Sequence, residues 1–342
     1  MTQKRITIYD IAREAGVSAS TVSRILANSA GVKPEKRQRV MALVEKYNFT
    51  PNAMAKGLSK SRSKLIGMLC PDVRNPFYSN VFAQCEQAAY QAGYTLLLNN
   101  TFGEPEKEIT YMQRMVEQRV DSLIICGGVV DWNPLPEAFE QALRQCIRQV
   151  PVVVAGKPWG VDCYQVVLDH ADGMRQAVRC LFGMGHRRIA FLHGPMNIVQ
   201  TQVKVDAYRE MLHDLGATFC PEYLVDEGRF DEKSGYHGML RLLTLPQPPT
   251  AVITANDMMC VGALQAIQRR GLSVPADISL IGCDDVFLTE LTQPNLSSIR
   301  VDYEQYGSTL IDTALLAMDQ PDVPEMLSLP LRLTLRESCR AL

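Results

Sequence analysis

The sequence predicts an α/β protein with a three-helix N-terminal head, a short connecting segment and a two-lobed body built on parallel sheets. Three observations predict it. Charge is divided along the chain: residues 1–64 hold 13 Lys and Arg against 4 Asp and Glu, a net of +9, and the remainder holds 22 against 33, a net of −11. Short amphipathic helical patterns fill the basic part. From Leu65 onward, short apolar runs alternate with helical stretches, the rhythm of βαβ units.

The chain has 342 residues, too many for one small core. A prior of roughly 150 residues per domain gives two or three domains. Its 46% apolar and 21% charged content fits a soluble globular protein. The N-terminus, "MTQKRITIYDIAREAG", has basic residues with no apolar stretch behind them, so no secretory signal is read there. The longest apolar runs, such as "SLIICGGVV", fall far short of the ~18 residues a membrane span needs. Ten cysteines contain no C-x-x-C pair. They are expected to be free thiols in a reducing cytoplasm, with neither a disulfide framework nor a zinc site.

The head comes first. In "IYDIAREA", Ile8, Ile11, Ala12 and Ala15 share one helical face, and Gly16 follows as a stop or turn. Ser18 is placed to cap a second helix, in which Val22, Ile25 and Leu26 share a face. A third helix starts near Pro34 and turns Val40, Leu43, Val44 and Tyr47 inward. Three short helices with a tight turn between the first two describe a helix-turn-helix unit. With the apolar face inward, Ala19, Ser20, Ser23 and Arg24 point outward. Side chains this small would let the helix backbone approach base edges in a major groove. An ordinary exposed helix of low bulk would read the same way.

Residues 51–59, "PNAMAKGLS", form the connecting segment. It is too short for a stable isolated helix, and Gly57 weakens it further. By itself it reads as a linker.

In the body, the strand runs are "LIGMLC", "YTLLLN", "SLIICGG", "VPVVVAG", "YQVVLD", "RRIAFLHG", "TAVITAND" and "ISLIGCDD". Helical patterns at 77–92, 105–118, 171–184, 201–215 and 257–271 lie between them. Nearly continuous apolar strands indicate burial on both sheet faces. The number of units requires two lobes.

Ligands of such sheets bind beyond the carboxyl ends of the strands. Asn75, Phe77, Asp169, Asn256, Asp257, Asp284 and Asp285 fall there. A carboxylate, an amide and a stacking ring are groups that recognise sugar hydroxyls and the apolar face of a pyranose. Each could equally be a cap or turn residue; their recurrence at strand ends is the signal.

Catalytic signatures are not found. The five histidines form no H-E-x-x-H, and neither G-x-S-x-G nor a G-x-x-x-x-G-K-[ST] phosphate loop occurs. "GMGHRR" precedes a strand, so it reads as a helix stop with a structural His186. His170, near a strand end, is a secondary ligand candidate. No catalytic residue, metal or cofactor is expected.

"ITIYDIAREAGVSASTVSRIL" followed by "TPNAMAKGLSKSRSKLIGMLCPDVRNPFYS" resembles the lactose-repressor (LacI) family of bacterial transcription regulators. "GHRRIAFLHGP", "PTAVITANDMMCVGALQAIQRRGLSVPADISLIGCDD" and "QPNLSSIRVDY" match family landmarks in order, so the resemblance spans the chain. It implies a double-stranded operator as partner, with the helix from Ala19 in the major groove. Ala19 and Ser20 then match the positions that choose operator bases. Thr21, Ser23 and Arg24 match backbone- and base-contacting positions, and Thr7, Tyr9 and Ser18 anchor on phosphates. Lys33 departs from the Ser or Thr cap frequent before the third helix, and lysine cannot accept from helix N–H groups. The resemblance also implies that 51–63 is a hinge which becomes helical on the operator. Leu58 would wedge into a minor-groove step, with Asn52 and Ala55 along the same groove.

For the body the resemblance implies a periplasmic-binding-protein-like fold with a small-molecule effector, a carbohydrate in kind, between the lobes. Phe77 matches the stacking position, Asn256 and Asp284 polar contacts, and Phe230 an aromatic wall. "QVKVDAY" departs from the pattern: Lys204 stands where an arginine is usual. That exchange replaces a planar fork by a point charge, and makes a sugar acid or modified sugar a candidate ligand. The chain is expected to cross between lobes three times, giving lobe 1 as 64–163 plus 296–325 and lobe 2 as 164–295 plus 326–342. No heptad repeat follows "RESCRAL", so a homodimer reading a pseudo-palindromic operator is expected. The expected function is a ligand-controlled transcriptional repressor. The alternative is a small-molecule-binding or enzymatic α/β protein not acting on DNA.

Overall fold

The computed structural model describes residues 6–26, 31–49, 62–320 and 326–342. It divides into two compact units, Met1–Ser63 and Lys64–Leu342.

In the first unit, α1 (Ile8–Ala15) opens with a reciprocal cap: Thr7 Oγ1 accepts from Asp10 N, and the Asp10 carboxylate accepts from Thr7 N at 3.0 Å. Gly16 ends the helix in the left-handed region (φ 66°), where a side chain would be strained. α2 (Ala19–Leu26) is capped by Ser18, whose hydroxyl accepts from Thr21 N at 3.2 Å. α3 (Pro34–Lys46) starts on Pro34, and Lys33 before it makes no side-chain cap. Ile11, Ala12, Ala15, Val22, Ile25 and Val40 form the buried core, with Leu26, Leu43 and Val44 packed around it. Glu14 on α1 accepts from Lys46 Nζ and the Tyr47 hydroxyl, each at 2.8 Å, tying α1 to the end of α3.

The second unit runs β1 (Leu65–Cys70), α4 (Pro76–Gln91), β2 (Thr95–Asn100), α5 (Pro105–Glu117), β3 (Ser122–Ile125), α6 (Glu137–Ile147), β4 (Val152–Val154) and β5 (Tyr164–Leu168). It continues α7 (His170–Gly183), β6 (Ile189–His193), α8 (Val199–Asp214), β7 (Leu224–Asp226), α9 (Glu232–Leu243), β8 (Ala251–Thr254), α10 (Asp257–Arg269) and β9 (Ser279–Asp284). Last come α11 (Leu288–Leu291), β10 (Ser297–Arg300), α12 (Tyr303–Asp319), β11 (Met326–Leu329) and β12 (Arg332–Thr334).

Two six-stranded sheets result, in the orders β11-β5-β4-β3-β1-β2 and β12-β10-β9-β8-β6-β7. Among the described residues, all pairings between these strands are parallel except β10 with β12. Strand order reverses at β1 in the first sheet and at β6 in the second, so each lobe has its switch point there.

The lobe boundaries differ from the sequence division. Tyr164–Leu168 and Met326–Leu329 lie in the first sheet, and Ser297–Arg300 in the second. The chain therefore crosses after β5, after β10 and between β11 and β12. The reason is pairing: Val153 on β4 registers with Tyr164 on β5, burying Tyr164, Val166 and Leu168 in lobe 1. A five-residue apolar strand carries no mark of which sheet it will join.

Candidate functional site

A cavity of about 950 Å³ opens between the lobes. Its walls follow the carboxyl ends of β1 and β3 in one lobe, and of β6, β8 and β9 in the other. Asn75, Phe77, Lys204, Phe230, Asn256 and Asp284 all line it, as do Asp169 and His170.

Several of these side chains also build the walls. Asn75 caps α4, accepting from Phe77 N at 3.0 Å. Phe77 is half-buried and meets Tyr78 edge-on, ring centroids 5.1 Å apart. Asn256 caps α10 through Met259 N at 2.9 Å and donates to the Phe230 carbonyl at 2.9 Å, so amide and ring are placed together. Asp169 caps α7 through Asp172 N at 2.9 Å.

Asp284 has φ 102° and is followed by Asp285 at φ 56°. Two successive non-glycine residues in this region are unusual, though Asp tolerates it better than most. The bend turns the buried Asp284 into the cavity. Burial raises its pKa above the usual carboxyl range, against the lowering pull of Lys204. Lys204 is itself buried; Nζ donates to the Ala255 carbonyl at 2.9 Å and lies 3.5 Å from the Cys283 sulfur. Its charge is thus held by protein atoms, which does not favour the sugar-acid candidate.

Two strand-end carboxylates stay out of the cavity. Asp257 accepts from Ser298 Oγ at 2.7 Å and Val286 N at 2.8 Å. Asp285 pairs with Arg336 at 2.6 Å. Both pin the bend that carries Asp284. His186 is buried between Thr250 Oγ1 (2.9 Å) and the Arg340 carbonyl (3.0 Å), a structural role as expected.

Sequence reasoning did not single out Asp131, Trp132, Gly156 and Gln200, which also line the cavity. A signal existed: Asp131 and Trp132 follow "SLIICGG" at a strand end, the rule that found Asn75. Burial pushes Asp131 up to about 7, with the Gln200 hydrogen bond acting against it.

In the head, Tyr9, Ser20 and Arg24 are exposed, and Thr21 and Ser23 are half-buried. Ala19, expected outward, is half-buried against the head core, because the turn at Gly16 folds the start of α2 back onto α1. The Thr7 and Ser18 hydroxyls are engaged as caps. Asn52, Ala55 and Leu58 lie outside the described residues.

Among the described residues, no cluster of His, Cys, Asp and Glu could hold a metal ion, and no helix is long and apolar enough to cross a membrane. All ten cysteines are unpaired.

A three-helix DNA-binding head followed by a two-lobed ligand cleft defines a ligand-responsive regulator of transcription. Comparison with known proteins makes this specific. Residues 7–52 match the model of bacterial regulatory proteins of the lacI family, and 178–339 that of a periplasmic binding protein-like domain. Catabolite control protein A of Priestia megaterium is 31% identical over 338 residues, covering 98% of this chain and 99% of that protein. The ribose operon repressor of Escherichia coli K12 is 31% identical over 323 residues, covering 93% and 95%. The lac repressor dimer bound to operator and the anti-inducer ONPF superposes with a TM-score of 0.86 at 29% identity, covering 99% of this chain and all of that one. The chain belongs to the lacI family: it is a DNA-binding transcriptional repressor with an effector-binding domain.

Proposed function

We propose that this repressor controls its operator affinity through a neutral, polyhydroxylated effector, a sugar or sugar derivative, bound between the lobes. The observation that carries the reading is the cavity itself, where Asp284, Asn256 and the rings of Phe77 and Phe230 converge. Carboxylates oppose an anion there, the Lys204 charge opposes a cation, and the rings offer a face to a pyranose. The ribose operon repressor among its relatives is named for a sugar's operon.

The DNA contacts are assigned to Thr7, Tyr9, Ser18, Ala19, Ser20, Thr21, Ser23 and Arg24, and the hinge contacts to Asn52, Ala55 and Leu58. The protein acts as a homodimer on a pseudo-palindromic operator, in the cytoplasm, without catalysis. The lac repressor, similar over the whole chain, is a dimer on its operator. The domain division is 1–50 for the head, 51–63 for the hinge and 64–342 for the effector body. Effector binding changes the angle between lobes and so the spacing of the paired hinges; by linkage, operator binding changes effector affinity by the same factor.

Gel shifts on the protein's own upstream region, with and without ligands found by thermal shift, test this. Asp284→Ala is expected to keep operator binding and lose the ligand response. A retained response removes Asp284 from the site, and absent or salt-insensitive DNA binding refutes the regulator.

A further inference from the structure

Lobe 2 holds a pairing that effector binding does not call for: a lysine amine against a cysteine sulfur. Lys204 sits on α8 and Cys283 in β9, 79 residues apart in the chain. Both are buried, Lys204 at 8% exposure and Cys283 at 1%. Lys204 Nζ donates to the Cys283 sulfur at 3.5 Å and to the Ala255 carbonyl at 2.9 Å. The second bond holds the nitrogen where it is, so the two atoms already stand at the separation from which a bond can form. Cys85 and Cys339 donate to carbonyls and Cys220 to a carboxylate; of these four thiols, Cys283 alone meets an amine.

The amine matters. An arginine in this place would present a guanidinium that keeps its proton and is no nucleophile. Lysine is the cation that attacks once its proton is gone.

Two further features bear on the sulfur. Lys204 and Ala255 line the cavity, so a molecule as small as a peroxide reaches the pair from there. Asp284, the next residue, is hydrogen-bonded by the Cys283 thiol, which puts a proton acceptor beside it. Burial pushes that thiol up to about 12, and the Lys204 charge pulls against it. A thiolate formed there lies against a cation, the setting that favours oxidation of a cysteine.

We propose that Lys204 and Cys283 form a modification site, at which hydrogen peroxide joins them through a reversible sulfur–nitrogen bond. The Cys283 thiolate attacks a peroxide oxygen: an S–O bond forms, the O–O bond breaks and one water leaves. Sulfur loses two electrons and the peroxide gains them. A sulfenic acid condenses with a nearby nitrogen. The lone pair of the Lys204 amine attacks the sulfur, the S–N bond forms, and the S–O bond breaks to release a second water. From an ammonium and a thiol, the sum consumes one peroxide and releases two waters and one proton, which Asp284 is placed to take. A dithiol reverses the bond, its sulfur displacing the amine. Cross-linking removes the Lys204 cation from the cavity and its pull on Asp284, so an oxidant becomes a second input to the repressor. The bond needs only these two side chains, whatever the effector.

Full-length protein is exposed to hydrogen peroxide, quenched with catalase, alkylated with iodoacetamide and digested with trypsin without reductant. Mass spectrometry is expected to find the peptides of Lys204 and Cys283 joined, two hydrogen atoms lighter than their sum and uncut at Lys204. Dithiothreitol is expected to abolish the joined species. In Lys204→Arg it is expected to vanish, with Cys283 recovered as the sulfenic or sulfinic acid. Thermal unfolding checks that this variant folds; if it does not, Cys283→Ser replaces it, and trypsin is expected to cut at Lys204 after peroxide. An unjoined Cys283 in the oxidised wild-type chain, free or carried on to the sulfinic acid, overturns the site, and so does Cys283 in a disulfide. A joined species one oxygen heavier overturns the direct bond in favour of an N–O–S bridge.

Discussion

Lys204 Nζ donates to the Ala255 carbonyl at 2.9 Å, fixing the charge that α8 carries into the cleft to the end of β8. Two elements of lobe 2 are thereby joined at the base of the cavity, and the same charge pulls down the otherwise raised pKa of Asp284.

Lys204→Met should therefore act twice. It leaves the Ala255 carbonyl without its donor, a loss of about 1–3 kcal/mol in denaturant unfolding of the body. It also lets Asp284 hold its proton to higher pH. Effector affinity should fall while operator binding persists; a variant with unchanged stability and response would show that the contact carries neither role.

Stability of the body should fall between about pH 4 and 7. Burial pushes Glu108 and Asp131 up to about 7. In that window the folded chain holds protons that the unfolded chain has released, so stability declines as pH rises and this contribution is gone above pH 7. Glu108→Gln should flatten the decline by roughly 3 kcal/mol at most, at 1.36 kcal/mol per unit. Unfolding midpoints at pH 5 and 8 measure it. An equal decline in the variant would mean that Glu108 does not titrate there.

Much of this was legible in the sequence because the relevant signals are local. Gly16, Ser18 and Pro34 mark the head's helix boundaries, and all three act there. The strand-end rule found Asn75, Phe77, Asn256 and Asp284 because each ends its strand or lies in the connection and first helical turn that follow it. What was hidden depends on tertiary pairing. The lobe assignment of Tyr164–Leu168 is decided by its neighbour β4, not by its own residues. Asp131 and Gln200 become a pair only once two lobes meet, 69 residues apart in the chain. Asp257 and Asp284 looked alike in sequence, and only the direction of the bend separates the structural carboxylate from the cavity one.

Head and body should respond separately to substitution. Thr7→Ala removes the reciprocal cap with Asp10 and should cost the head about 1 kcal/mol, with body unfolding unchanged. Arg24→Ala leaves both cores intact and should weaken operator binding at least tenfold, a bidentate base contact being worth about 1–3 kcal/mol. A lower slope of log affinity against log salt would assign Arg24 to a phosphate instead. Unchanged affinity would remove α2 from the groove.

Asp257 supplies the last contrast. It is buried, and burial together with neighbouring Asp284 drives its pKa well above the usual carboxylate range. Burial thus favours the neutral form of this carboxyl, which accepts from Ser298 Oγ and Val286 N. Asparagine has the same shape and can make both bonds, its oxygen accepting from Val286 N and its amide donating to Ser298 Oγ. Asp257→Asn should then change stability by less than about 1 kcal/mol at pH 7, whereas Asp257→Ala orphans Val286 N and Ser298 Oγ and should cost several times more. The bend carrying Asp284 should loosen only in the alanine variant, so effector affinity follows stability. If Asp257→Asn proves as damaging as Asp257→Ala, the group is an ionised carboxylate in the folded protein, and the bend is held by charge.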